Sequence, residues 1–371
     1  MKTLKTLAII CLGALLCGAC TSSTNEQDEA SGLVLSFSPS TIYDNGEDYT
    51  EPTLKLNGAV VTDYTLYDAL TDEVVVLENG RFTSTTKGTF TFWASHGTLI
   101  SNKAKVTVVT TPPAAPEAPV DATPSQTNFK RRVLLTQFTG TGCGWCPEMM
   151  NVLYLVNQKR GDDIVIAAAH LFRDDDPMYL ADAPSLDNSQ SVEGYPDLTV
   201  DLIDSNGDVS RVETYIINMI NKALNRVDVK GGIAANTLYY ADKGFITATV
   251  LVKAKETTEF RVGAWLLEDD IRATQANYGV TAVEGVDFNL HHNVIRIADS
   301  RKTNMDFSGH ELGKIEAGKT ATKSFYFELK NGWNPEKLRV VFFISTKEGN
   351  EWLVNNVVSA SKNGTLDFQY E

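Results

Sequence analysis

Residues 139–150 read TGTGCGWCPEMM and contain two cysteines, Cys143 and Cys146, that are separated by two residues. The residues before the pair, RRVLLTQF (131–138), include an apolar run that is typical of a buried strand. The residues after it, PEMMNVLYLVNQK (147–159), carry apolar side chains at helical spacing. The pair is therefore predicted to lie between a strand and a helix, where it could be a redox dithiol, a pair of metal ligands or an inert disulfide.

The chain has too few ligands for the metal hypothesis. A structural zinc site needs about four ligands, usually from two pairs. Beyond residue 20 this chain offers one cysteine pair, and its five histidines are scattered. Covalent haem attachment needs histidine directly after the second cysteine, and Pro147 stands there. We therefore expect no metal and no cofactor, which leaves a redox dithiol or an inert disulfide.

The position of the pair favours the redox dithiol. Unpaired amides and the positive end of the helix dipole stabilise a thiolate at a helix N-terminus, and we expect Cys143 to lie there. Cys146, one turn further on, would close a disulfide and resolve a mixed intermediate. Gly144 and Trp145 add no positive charge between the cysteines. We therefore expect a less oxidising couple than at a site with histidine between the cysteines.

The composition limits the class of partner. The chain has 371 residues and a formal net charge of −14. This length predicts about two or three domains, each able to bury its own core. A negative surface repels phosphate, and no basic cluster interrupts the pattern, so we expect no nucleic-acid partner.

The first 20 residues have the features of an export signal. Two lysines precede a short apolar run, and two small residues precede Cys20. This arrangement resembles the lipobox of bacterial lipoproteins, with the departure that Cys17 stands where leucine is usual. The resemblance implies that residues 1–20 are a signal peptide, that Cys20 carries a lipid inserted in the membrane, and that residues 21–32 are a flexible tether. An ordinary signal peptide with a soluble product is the alternative.

The rest of the chain is predicted to be a multidomain fold that combines α/β and all-β parts. Residues 33–110 contain short alternating runs separated by turns, which predict an Ig-like β-sandwich. Residues 111–128 are rich in proline and alanine and are predicted to be an extended linker that spaces domains. Residues 129–228 alternate strands and helices around the cysteine pair. Residues 229–371 return to strands and predict a C-terminal β-sandwich.

The order of elements in residues 129–228 resembles the thioredoxin fold. A strand, the CxxC pair, a helix and a second strand are followed by Gly194-Tyr195-Pro196, a third strand and a hairpin turn at 204–208. The resemblance implies that Pro196 has a cis peptide bond and faces the cysteines, and that Tyr195 and Trp145 contact a substrate. The sequence departs from thioredoxin at Gln137, where thioredoxin has a buried carboxylate. It departs again at residue 142, where glycine replaces tryptophan.

The combined features are similar to the outer-membrane-protein-28-related lipoproteins. The likeness rests on the lipobox, on QFTGTGCGWCP (137–147), on the GYP at 194–196 and on HNVIR (292–296). It covers roughly residues 129–371. The resemblance implies a protein that is anchored to the cell outer membrane by lipid.

Two functions stay open at this point. In the first, the protein is a thiol–disulfide oxidoreductase with protein clients, in which Cys143 attacks a client disulfide and Cys146 resolves the mixed disulfide. In the second, it is a non-enzymatic surface lipoprotein that binds a protein or glycan, and Cys143–Cys146 is a permanent bridge. The missing carboxylate at residue 137 favours the second function, and the strand–CxxC–helix context favours the first.

Overall fold

The structure is a computed structural model that describes residues 32–203 and 212–371. The predicted signal peptide, Cys20 and nearly all of the predicted tether lie outside the described residues, as does the hairpin turn predicted at 204–208. The chain divides into two compact units, Met1–Thr111 and Pro112–Glu371. Among the described residues, no helix is long and apolar enough to span a membrane.

The first unit is built from short strands. They are β1 (Leu33–Ser38), β2 (Thr41–Tyr43), β3 (Glu51–Leu56), β4 (Ala59–Val61), β5 (Thr65–Asp68), β6 (Gly88–His96), β7 (Leu99–Ile100) and β8 (Ala104–Val109). Within the described residues they form one sheet in the order β1-β3-β4 and another in the order β2-β8-β6-β5, with β7 beside β6. Alternate residues of β1, namely Leu33, Leu35 and Phe37, are buried in the core that the two sheets share.

The second unit begins with the elements around the cysteine pair. They are β9 (Val133–Thr139), α1 (Cys146–Arg160), β10 (Ile164–His170), α2 (Leu186–Ser189), β11 (Asp197–Val200) and α3 (Glu213–Leu224). Strands β9 and β10 run parallel and are joined through α1, and β11 pairs with β9 in the antiparallel direction. One face of β9 and β10 packs against α1 and α3. Every residue of both strands is buried, which explains their nearly continuous apolar sequence.

Long antiparallel strands follow. They are β12 (Gly231–Tyr240), β13 (Phe245–Ala254), β14 (Thr258–Glu268), β15 (Ile271–Arg272), β16 (Leu290–His291), β17 (Val294–Asp299), β18 (His310–Ile315), β19 (Thr320–Glu328), β20 (Leu338–Glu348), β21 (Glu351–Ser361) and β22 (Gly364–Leu366). In the described part of the chain, β19-β13-β12-β22 form a four-stranded sheet. Strands β15 and β16 form a separate short ribbon.

A single sheet joins the region around the cysteines to the C-terminal region. Within the described residues it has eight strands, in the order β11-β9-β10-β17-β14-β20-β21, with β18 beside β14. The junction is the parallel pairing of β10 with β17, where Ala168 lies opposite Val294 and its amide donates to the Asn293 carbonyl. Strands on both sides of the domain boundary predicted between residues 228 and 229 therefore belong to one sheet.

Strands β14 and β20 are buried on both faces of this sheet. On one face, Val262, Ala264 and Phe342 share a core with the four-stranded sheet. On the other face, Trp265 and Phe343 share a core with residues of β9 and β10. The chain as a whole is thus a multidomain, β-rich fold, as the sequence predicts.

The proline-rich segment predicted as a spacer packs against the four-stranded sheet. The Ala114 carbonyl accepts a hydrogen bond from the Tyr240 hydroxyl at 3.0 Å. The side chain of Lys253, which is fully buried, donates to the Asp121 carboxylate at 2.7 Å and to the Thr123 carbonyl at 3.1 Å. This part of residues 111–128 differs from the predicted extended spacer because its backbone carbonyls and Asp121 satisfy polar groups of the sheet.

Candidate functional site

The cysteine pair is a disulfide at the point where β9 gives way to α1. Cys143 and Cys146 are bonded, with their Cα atoms 5.4 Å apart. The helix begins at Cys146, so Cys143 lies in the turn that leads into the helix N-terminus. The turn is closed by a hydrogen bond from the Cys146 amide to the Cys143 carbonyl, at 3.2 Å. Cys143 is 3% exposed and Cys146 is fully buried, so almost none of either residue is open to solvent.

Pro196 lies at the same end of β9 as the cysteine turn. The Tyr195–Pro196 peptide is cis, as predicted from the thioredoxin resemblance. Asp197, the next residue, pairs with Phe138 of β9, which places Pro196 beside the end of the strand that leads into the cysteines. The part of Pro196 in binding a substrate stays a prediction.

The side chains of Tyr195 and Trp145 have different surroundings. The Tyr195 hydroxyl donates to the Asp187 carboxylate at 2.6 Å, and its ring packs edge-on against Phe172. Burial, and then the hydrogen bond to Asp187, raise the pKa of Tyr195 above its ordinary value. Trp145 is 45% exposed and packs edge-on against Tyr278, with ring centroids 5.5 Å apart. Of these two side chains, the Trp145 ring is the one on the surface.

A buried carboxylate holds the start of the cysteine turn. One oxygen of Asp176 accepts hydrogen bonds from the Thr141 amide at 2.6 Å and from His170 Nδ1 at 3.0 Å. The other oxygen accepts from the Met178 amide at 2.8 Å. Burial alone would raise the pKa of Asp176, but the hydrogen bond and charge of His170, together with the two amides, hold the pKa well below its ordinary value. Asp176 therefore stays ionised and fixes Thr141. The sequence gives only a weak signal of this role, in a run of aspartates after β10.

His170 and His291 form a buried pair beside that carboxylate. Their rings pack edge-on with centroids 5.4 Å apart, and His291 Nε2 lies 3.2 Å from the Ala273 carbonyl. His170 therefore contacts both Asp176 and His291. Burial, and then the charge of His170, lower the pKa of His291 to about 4.

The low pKa of His291 predicts a loss of stability in mild acid. Unfolded histidine has a pKa of about 6.5, so between that value and about 4 the unfolded chain binds more protons. Stability is then present above pH 6.5 and is lost as the pH falls through this window. From pH 7 to pH 5 we expect His291 to account for a loss of about 2 kcal/mol. His291→Gln, measured by urea unfolding at both pH values, should lack this part of the loss. Equal losses in the variant and the wild type would contradict the prediction.

A loop from the C-terminal region lies across the cysteine turn. Residues 273–289, which we call the strap, connect β15 to β16. The Ala276 amide donates to the Thr141 carbonyl at 2.7 Å, and the Tyr278 amide donates to the Gly144 carbonyl at 3.0 Å. The strap is not predicted from the sequence, because its irregular polar sequence indicates only a turn-like stretch.

The strap also brings a buried side chain to the cysteine turn. Gln275 is 7% exposed, and its Nε2 donates to the carbonyls of Gly140 at 3.2 Å and Cys143 at 2.9 Å. Gln275 thus connects the two ends of the turn that holds Cys143. No pattern in the sequence around residue 275 predicts this contact.

A cavity of about 480 Å³ lies between α1, β10 and residues 285–293. Its lining combines apolar side chains with His170, His291 and Gln137. Gln137 is buried, and its Nε2 has no hydrogen-bond partner among the described residues. In the described ranges, no group of three or more His, Cys, Asp or Glu side chains could hold a metal ion.

Comparison with solved structures gives partial likenesses. HBP35 of Porphyromonas gingivalis is 19% identical, with a TM-score of 0.51 over 64% of this chain and 76% of that chain. A protein of Agrobacterium tumefaciens is 11% identical, with a TM-score of 0.38 over 64% of this chain and 97% of that chain. A domain of the outer membrane lipoprotein Omp28 from Porphyromonas gingivalis is 21% identical, with a TM-score of 0.24 over 37% of this chain and 91% of that chain. At 19% identity, the likeness to HBP35 concerns the fold alone. The TM-scores of the other two structures are too low to support an argument.

One family model matches the sequence of the chain. No curated protein matches the chain. The model of the family described as outer membrane protein Omp28 matches residues 184–365. The match includes Pro196, the strap and the long C-terminal strands, and the cysteine pair lies before it. The resemblance to outer-membrane-protein-28-related lipoproteins, inferred from the sequence motifs, is therefore supported over residues 184–365, where the chain matches the Omp28 family.

Proposed function

We propose that this protein is an Omp28-type lipoprotein, anchored to the outer membrane by lipid on Cys20, that performs thiol–disulfide exchange through Cys143 and Cys146. The family match and the lipobox support the location. The observation that carries the proposed activity is the disulfide between a buried strand and a helix start, at the end of β9 where Pro196 also lies.

The proposal includes the finer assignment of the fold. Residues 129–228 are assigned a thioredoxin-like arrangement, supported by the order β11-β9-β10, by the parallel β9–α1–β10 unit and by the antiparallel strand after Pro196. Residues 33–110 are assigned an Ig-like sandwich, supported by two sheets of short strands around one core. Residues 229–371 are assigned a sandwich, supported by the packing of the four-stranded sheet on β14 and β20.

The reaction is a transfer of two electrons to a client disulfide. In the reduced protein, the Cys143 thiolate attacks one client sulfur, and the second client sulfur leaves as a thiolate. Cys146 then loses its proton and attacks the Cys143 sulfur, which releases the first client sulfur as a thiolate. The protein ends with the Cys143–Cys146 disulfide, and the client ends with two thiols. Gln137 cannot accept the Cys146 proton, so that proton passes to solvent or to the departing client thiolate.

Removal of the resolving cysteine tests this activity. In Cys146→Ala the mixed disulfide has no internal thiol to break it, so reduced protein mixed with an exported client that contains disulfides should accumulate a covalent adduct at Cys143. Non-reducing gels and mass spectrometry would measure the adduct. The matched variant Cys143→Ala should form far less. Absence of any adduct across a range of redox buffers would contradict the activity.

A second function is favoured by the burial of the disulfide. Neither cysteine is open to solvent, and the strap bonds to the carbonyls of Thr141 and Gly144. These features suit a non-enzymatic lipoprotein that binds a protein or glycan partner, with Cys143–Cys146 as a permanent bridge. In that case Cys146→Ala would leave partner binding intact and trap nothing.

A further inference from the structure

The strap is anchored at two places along its length. At its base, the Ala273 amide donates to the Asn289 carbonyl at 3.1 Å, next to the paired strands β15 and β16. Halfway along, the Asn151 side chain of α1 donates to the Thr281 carbonyl at 2.9 Å and accepts from the Val283 amide at 3.0 Å. These anchors hold residues 281–289 to α1 and leave residues 275–278 as the part that touches the cysteine turn.

The contact with the cysteine turn depends on the glycine between the cysteines. A Cβ atom at residue 144 would lie 2.5 Å from the Tyr278 ring, which is closer than real Cβ contacts allow. Gly144 therefore lets the ring lie flat against the backbone of the CxxC segment, while the Trp145 ring meets it edge-on. The aromatic ring covers the segment although Tyr278 itself is 66% exposed.

We propose that the strap is a cover that closes the disulfide to incoming thiols and must lift from Gly144 before either sulfur can be attacked. A thiol has to reach a sulfur atom directly to break a disulfide, and in the closed arrangement Cys143 is 3% exposed. Residues 275–278 are held to the cysteine turn by two backbone hydrogen bonds and by the Gln275 side chain, and the Tyr278 ring is mostly in solvent. Their release therefore costs much less free energy than global unfolding. The proposal concerns access of any thiol, so it holds whether or not exchange is the biological activity.

The rate of disulfide reduction tests the cover. The full chain in detergent would be treated with dithiothreitol, which is oxidised to its cyclic disulfide while Cys143 and Cys146 become two thiols. Alkylation and mass spectrometry of the peptide containing both cysteines would follow the reaction. In Tyr278→Ala and Gln275→Ala we expect reduction to be about tenfold faster or more. Tyr326→Ala removes a tyrosine that is 43% exposed elsewhere and should leave the rate unchanged. In the wild type, the rate should level off at high dithiothreitol, where lifting of the strap becomes limiting.

Rates within twofold of the wild type for both variants, with unchanged circular dichroism, would overturn the proposal. If the variants do not fold, hydrogen exchange on the wild type decides the question. The amides of Ala276 and Tyr278 should exchange through a local opening, long before the amides of β9 and β10. Exchange of those two amides only together with β9 and β10 would show that no separate opening exists and would also overturn the proposal.

Discussion

Replacing Asp201 with asparagine should lower the free energy of unfolding of residues 112–371 by about 3–5 kcal/mol. Asp201 follows β11 and is fully buried, and its carboxylate accepts hydrogen bonds from Arg131 at 2.8 Å and from the Leu134 amide at 3.0 Å. A second guanidinium, that of Arg226, lies 3.4 Å away. Asparagine has nearly the same shape but no charge, so the variant would leave the buried Arg131 without its counter-ion. Arg226 would keep its ion pair with Glu348 at 3.2 Å.

The carboxylate of Asp201 has this effect because it holds Arg131, which links the two ends of the large sheet. The Arg131 guanidinium also donates to the Asn355 carbonyl of β21 at 3.0 Å. The bond from the Val354 amide to the backbone carbonyl of residue 201 stays in the variant. Urea unfolding at pH 7.5 would measure the loss. Asp175→Asn breaks an ion pair with Arg173 that is more than half exposed, and it should change the free energy by less than about 1 kcal/mol. Similar losses in both variants would contradict a special role for Asp201.

The fragment 129–228, expressed alone, should not fold. Its strands β9 and β10 bury Leu134, Phe138 and Val165 in a core that is completed by Trp265 and Phe343 of the C-terminal region. Without those strands the fragment would expose this face to water, at a cost of about 25 cal/mol for each Å² of apolar surface. The cooperative unit would therefore be residues 112–371.

Fragments compared by NMR and thermal unfolding would measure this dependence. We expect residues 112–371 to give a dispersed spectrum and a cooperative transition, and residues 129–228 to give neither. A dispersed spectrum from residues 129–228 would show that these residues form an independent domain, as the domain boundaries predicted from the sequence imply.

The sequence predicts well those features that are encoded locally. The apolar runs of β9 and β10, the helical spacing after Cys146 and the GYP before β11 each depend on neighbouring residues, and the structure contains the corresponding elements. The cis peptide before Pro196 was predicted from a family resemblance that also rests on a local motif. Such features can be predicted without knowing which distant strands pair.

The sequence does not predict features that depend on distant contacts. The junction of β10 with β17 joins residues that are more than a hundred positions apart. The strap reaches the cysteine turn from a similar distance, and two of its contacts there are backbone hydrogen bonds, which any residue except proline can donate. The pairing of His170 with His291 has the same cause. The missed parts of the candidate site are therefore those that the C-terminal region supplies.

The reduction potential of the Cys143–Cys146 couple tests the proposed activity most directly. Residues 21–371 contain no other cysteine, so this form of the protein can be equilibrated in dithiol buffers of graded potential and the two thiols counted. Exchange activity predicts a value between about −120 and −270 mV, in the range of known exchange catalysts. A value below about −300 mV, typical of structural disulfides, would contradict the proposed exchange and leave the pair as a permanent bridge in a binding protein.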